Sequence, residues 1–204
     1  MPRGRRIFLE DITQHLIQRG NNRTNIFTST ADYQMFSECL HEASKRFGLR
    51  VHGYVLMANH FHLMATGDTP SSVPDAMQAL GRRYVPYFNR RYNRTGALFE
   101  GRYRSFHVDS EAYWYACLRY VELNPVRAGL VVAPDLYRWS SYGAHALGIP
   151  NAILTNHPLY LRLGRTDAER EVSWRVTCRH EVAHAVSDLW QSATGSDPLL
   201  TTGV

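Results

Sequence analysis

Lysine is almost missing from this chain: of 23 basic residues only Lys45 is one, and the rest are arginine. Arginine forks onto phosphates and guanine edges and stacks on bases, which points to a polyanionic partner. A high-GC genome also inflates arginine, so composition leaves both explanations open. Cysteine is scarce too. Cys39, Cys117 and Cys178 form no C-x-x-C pair and no even framework, which argues against a disulfide scaffold and fits reduced thiols in a cytosol. Long apolar runs are missing: Ile7-Phe8-Leu9 is followed at once by Glu10-Asp11, far short of a signal sequence, and no stretch reads as membrane-spanning. Acidic residues desert one window, Gly81 to Arg104, where Arg82, Arg83, Arg90, Arg91, Arg94, Arg102 and Arg104 meet the single acid Glu100.

What is present fits one globular domain with an appended tail, at 204 residues and 44% hydrophobic content. The net charge of +5 again suggests a polyanion. Within the arginine-rich window lie Tyr84, Tyr87, Phe88, Tyr92, Phe99 and Tyr103. Charge that tracks phosphates, interleaved with aromatic faces that stack on unpaired bases, is how single-stranded nucleic acid is held. Some of these rings must serve as core, because a helix here needs an apolar face.

Arg3, Arg5 and Arg6 form a basic lead-in. Ile12 to Gly20 alternates, with Gln14, Leu16 and Gln18 on one side and His15 and Ile17 on the other, and reads as a first strand. It runs into the turn Arg19-Gly20-Asn21-Asn22-Arg23. A helix is expected over Asp32 to Phe47, capped by Ser29 or Thr30 and stopped by Gly48. Leu49 to Met57 and His60 to Thr66 read as strands joined at Ala58-Asn59, and a second helix spans about Asp75 to Arg91. Tyr103 to Val108 is another strand. The order strand, helix, strand, strand, helix, strand, helix predicts an α+β fold, an antiparallel sheet with helices packed on it.

Two stretches carry chemistry. In a strand residues two apart face the same way, so His60 and His62 project together while Phe61 and Leu63 enter the core. That offers two imidazoles to one metal ion, or two satisfied surface histidines. Ser110 to Pro125 reads as a helix with Ser110 as N-cap and Pro125 as its stop, which sets Tyr120 and Asn124 side by side at i and i+4.

His60-Phe61-His62, Tyr120-x-x-x-Asn124-Pro125-Val126-Arg127-Ala128-Gly129, Gln18 to Arg23, and Phe99-Glu100-Gly101-Arg102-Tyr103 resemble, in this order, the single-tyrosine HUH transposases. The branch they resemble is the REP-associated tyrosine transposases. The likeness runs from about Pro2 to about Arg170. It implies a ferredoxin-like palm with an HUH strand and a tyrosine helix over residues 1–148, and a C-terminal helical extension over 149–204. It implies metal ligation by His60, His62 and Asn124, with Mg²⁺ or Mn²⁺ as cofactor and Tyr120 as nucleophile. The implied reaction is single-strand DNA cleavage and strand transfer beside palindromic hairpins, through a 5'-phosphotyrosine. Arg3, Arg5, Arg6, Arg19, Asn22, Arg23, Arg82, Arg83, Arg102 and Arg104 are the candidates for holding that DNA. A monomer in a bacterial cytoplasm, associated with the nucleoid and not with a membrane, is the expected state.

Ala58 departs from the proline frequent before the Asn-His of this family, which loosens the turn but removes no ligand. Tyr113 and Tyr115 are rival nucleophiles; Tyr115 points about 140° away from Tyr120 around the helix. Asn124 can sit beside only one tyrosine, which favours Tyr120. His180-Glu181-Val182-Ala183-His184 matches the HExxH zinc motif of metallopeptidases, yet 20 residues after it leave little from which to build a third ligand and a cleft. A non-catalytic hairpin-binding protein or repressor is the other alternative, although such a protein has no use for an intact His-His-Tyr-Asn set.

Overall fold

Alternation of apolar residues and tight turns builds a four-stranded sheet in which every pairing is antiparallel. The computed structural model describes residues 11–191, with side chains to residue 179. Arg3, Arg5, Arg6 and the side chains of residues 180–184 lie outside the described set. The order is β1 (Thr13–Arg19), α1 (Thr30–Phe47), β2 (Leu49–Met57), β3 (His60–Gly67), α2 (Ser72–Arg91), β4 (Arg104–Val108), α3 (Glu111–Arg127), α4 (Tyr142–Leu147), α5 (Pro158–Leu161) and α6 (Asp167–Gln191). Across the sheet the strands run β2-β3-β1-β4. This is the α+β arrangement that the sequence predicts.

The two faces of the sheet are covered differently. Leu16, Phe61 and Leu63 pack under Phe36, Leu40, Leu80 and Tyr84 of α1 and α2. On the other face Val55, Met57 and Met64 pack under α3 through Trp114, Leu118 and Val121. Gly53 permits the close approach of α3: a Cβ there would lie 2.3 Å from Leu118 Cδ1.

The helix ends show where local signals were outvoted. Ser110 caps α3, its Oγ accepting from Tyr113 N–H at 3.3 Å. The expected stop at Pro125 does not occur, and α3 continues to Arg127. Proline deletes one backbone bond, but the stop comes at Gly129, whose φ is +67°. Gly129 N–H donates to Val126 O and Leu130 N–H to Pro125 O, each at 2.9 Å, the paired bonds of a Schellman motif. Likewise α2 starts at Ser72 and not Asp75, because Pro74 sits in a first turn whose N–H groups have no intrahelical partner.

The segments after α3 return to it. Tyr160 and Trp174 are buried in the α3 cluster. Beneath them the fully buried Glu122 accepts from three donors: Ser141 Oγ at 2.5 Å, His145 Nδ1 at 2.6 Å and Trp174 Nε1 at 2.7 Å. Among the described residues no helix is long and apolar enough to cross a membrane.

Candidate active site

The Ala58-Asn59 turn is held from outside the hairpin. Gly20 N–H donates to Asn59 O at 2.8 Å, and Ile26 N–H and Phe27 N–H donate to Ala58 O at 2.8 and 3.0 Å. Those bonds do what a stiffer turn residue than Ala58 could do. Gly20 lets the loop that makes these bonds fold tightly on itself, since a Cβ there would lie 2.1 Å from Thr24 O. Asn59 then orients its neighbour: its amide donates to Arg23 O at 3.3 Å, and its Oδ1 accepts from His60 Nδ1 at 2.6 Å. The His60 lone pair is therefore on Nε2.

His60 and His62 face α3, with ring centroids 5.1 Å apart and planes at 77°. The Tyr120 ring stands edge-on to His62 at 5.5 Å. Asn124 follows one turn later on the same face and is half-buried. The expected quartet is thus gathered on one face of the sheet, from one hairpin and one helix. His62 is buried, and burial first, then the neighbouring His15, His60 and Arg19, holds it well below the usual histidine range. It is neutral at physiological pH, the form that ligates metal.

These residues fit a divalent ion in their chemistry: two neutral imidazoles and an amide oxygen, with the His60 tautomer set. Among the described residues no cluster of three His, Cys, Asp or Glu is placed to hold a metal, so a site built on His60 and His62 would need a third donor of another kind. Tyr120 is only 3% exposed. His60, Asn124 and Arg127 are half-buried and so reach solvent where Tyr120 barely does. Tyr115 is turned away, its hydroxyl donating to Leu159 O at 2.8 Å.

The candidate DNA residues divide by position. Cross-strand pairing sets Arg19 opposite His60, and Ile17 between His62 and Arg104, so Arg19 and Arg104 share the face of the histidines. Arg19, Arg102 and Arg104 line a notch of about 180 Å³ with Gln18 and Glu100. Asn22 and Arg23 lie exposed in the loop over the hairpin turn, both with left-handed φ. Arg82 and Arg83 are elsewhere: they line a groove of about 720 Å³ between α1 and α2, across the sheet from Tyr120, and Arg83 pairs with Glu42. Of the interleaved aromatics, Tyr84, Phe88 and Tyr103 are core. The Tyr92 and Tyr87 hydroxyls donate to the buried Asp32.

Sequence reasoning assigns no role to two residues at the site. His15 Nε2 lies 2.8 Å from His62 Nδ1, and the two buried rings meet edge to edge, with planes 21° apart and centroids separated by 5.1 Å. Arg127 sets its guanidinium 5.1 Å from the Tyr120 ring centroid. The i, i+7 spacing of Tyr120 and Arg127 was a usable clue; the contact of His15 with His62 follows only from strand register.

Residues 8–124 match the family described as Transposase IS200 like. The match spans more than half of the sequence, and the chain belongs to that family. The fold is also that of a REP-associated tyrosine transposase solved bound to a REP hairpin, with a TM-score of 0.57 and 17% identity over 77% of this chain and 93% of that one. A transposase candidate from Deinococcus radiodurans R1 aligns at a TM-score of 0.41 and 20% identity, over 57% of this chain and 92% of that one. No curated protein matches the sequence significantly.

Proposed function

We propose that this transposase cleaves single-stranded DNA beside a palindromic hairpin and transfers the cut strand, with Tyr120 as nucleophile. The observation that carries the reading is the placement of the Tyr120 ring 5.5 Å from His62, whose ring lies 5.1 Å from that of His60, with Asn124 one turn further along the same helix. A divalent ion, Mg²⁺ or Mn²⁺, held by His60, His62 and Asn124, would withdraw charge from the scissile phosphate. Tyr120 Oη attacks phosphorus in line, the bond from phosphorus to the 3'-oxygen breaks, and a 5'-phosphotyrosine forms. The phenolic proton leaves to water, and the departing 3'-oxygen takes up a proton to become a hydroxyl. Attack by a 3'-OH on the phosphotyrosine reverses these steps and joins strands without ATP. Arg127, over the phenol ring, brings fixed positive charge to the place where the phosphate arrives.

Arg19, Arg102 and Arg104 grip the strand next to the histidines, and Asn22 and Arg23 extend that surface; Arg3, Arg5 and Arg6, outside the described residues, are further candidates for holding the DNA. Arg82 and Arg83 could touch only DNA that wraps to the far face. The hairpin-bound neighbour supports a hairpin substrate. The catalytic unit is assigned to residues 1–148, with 149–204 an extension that braces α3 through Tyr160 and Trp174. The protein acts as a monomer, in the cytoplasm at the nucleoid.

Binding and cleavage of hairpin oligonucleotides copied from the host's palindromic repeats test this. The expected result is cleavage with Mg²⁺ or Mn²⁺, and retained binding without cleavage in EDTA. Metal-independent binding with no scission under any condition would support the repressor alternative.

A further inference from the structure

Two imidazoles serve one metal ion only if each turns a lone pair toward it, and the tautomer of each ring decides this. Asn59 settles the matter for His60. For His62 the inner nitrogen meets another imidazole, His15 Nε2, at 2.8 Å, and such a pair shares one proton: one ring donates and the other accepts. If His15 donated, His62 would carry its proton on Nε2 and have no lone pair for a metal.

We propose that His15 is the positioning residue for His62: its Nε2 accepts the His62 Nδ1–H, holding the His62 lone pair on Nε2. The inference rests on the metal role proposed for His60 and His62. His15 reaches His62 diagonally across the β1–β3 pairing, since His15 opposes Met64 and Ile17 opposes His62. Its plane is fixed by Phe106 at 6.3 Å and Tyr120 at 6.1 Å, so the acceptor nitrogen is aimed and not found by chance rotation. An imidazole acceptor differs from a carboxylate in adding no charge. The ion would keep its full attraction for a phosphodiester.

The test reads the proton directly. In metal-free protein with ¹⁵N-labelled histidine, long-range ¹H–¹⁵N correlation assigns the His62 tautomer, its signals identified by their loss in His62→Gln. Calorimetric titration with Mn²⁺ alone then gives affinity. Wild type is expected to hold the His62 proton on Nδ1, and His15→Gln, whose amide oxygen can accept it, to retain that state. His15→Phe keeps the ring shape but removes the acceptor; the proton moves to Nε2, and Mn²⁺ affinity falls about 10- to 100-fold. A wild-type His62 protonated on Nε2 overturns the proposal, as does unchanged Mn²⁺ affinity in His15→Phe. If His15→Phe fails to fold, the wild-type spectrum still decides. Absence of Mn²⁺ uptake by wild type would contradict the metal site itself, a separate outcome from the tautomer.

Discussion

Glu122 shows how much one residue can hold. Its carboxylate accepts from Ser141, His145 and Trp174 with no exposure to water, so three donors depend on one acceptor-only group. In Glu122→Leu all three would lose their acceptor, and Trp174 Nε1–H, which can only donate, would be buried unsatisfied. We expect a loss of about 3 kcal/mol in stability, read as a lower urea midpoint with unchanged slope. A shift within about 0.5 kcal/mol would mean the network relaxes or takes in water. Nothing local in Val121-Glu122-Leu123 announces this role beyond a lone acid in an apolar run, because its partners lie 19, 23 and 52 residues away. The same holds for His15, whose partner is 47 residues off. Strand and helix periodicities set His60 with His62, and Tyr120 with Asn124, on one face each, while the resemblance to the family is what gives those residues their expected roles.

At the scale of elements, the catalytic geometry depends on how closely α3 lies on the sheet. Gly53 sets that distance, and Leu118, which a Cβ would strike, is fully buried and cannot swing clear. Gly53→Ala should therefore lift α3 and with it Tyr120. A displacement near 1 Å is expected to slow covalent adduct formation about 100-fold, while hairpin affinity, carried by arginines on other elements, changes less than about threefold. Equal loss of binding and adduct would show that α3 position also shapes the DNA surface. The hairpin and α1 were readable from turn and cap chemistry. The ends of α2 and α3 were not, because a proline weakens a helix without always ending it and the deciding signal was Gly129.

The whole molecule is predicted to weaken in mild acid. His52 donates from Nδ1 to Thr155 O at 2.8 Å and pairs through Nε2 with Thr66 Oγ1 at 3.0 Å, contacts that the neutral ring satisfies. Burial above all lowers it from the ordinary 6.5 to about 3, and lowers the nearby His157 to about 4. Below pH 6.5 the unfolded chain takes up protons that the folded chain refuses. The stability contributed by these neutral rings is present above 6.5 and is lost as pH falls toward 4 for His157 and 3 for His52. The buried His52 bounds its own share at about 1.4 kcal/mol per pH unit; the half-exposed His157 adds less. Urea midpoints between pH 7 and 4.5 should fall steadily in wild type and less steeply in His52→Gln. A flat profile in wild type would contradict the assignment.

The account stands on Tyr120 as the nucleophile. The measurement that addresses it most directly is mass spectrometry of denatured protein after reaction with Mn²⁺ and a hairpin oligonucleotide, for wild type and Tyr120→Phe. Wild type should carry the 5'-linked fragment on the peptide containing Tyr120, and Tyr120→Phe should bind the same hairpin with no adduct. An adduct on Tyr113 or Tyr115, or one that survives in Tyr120→Phe, would contradict the account.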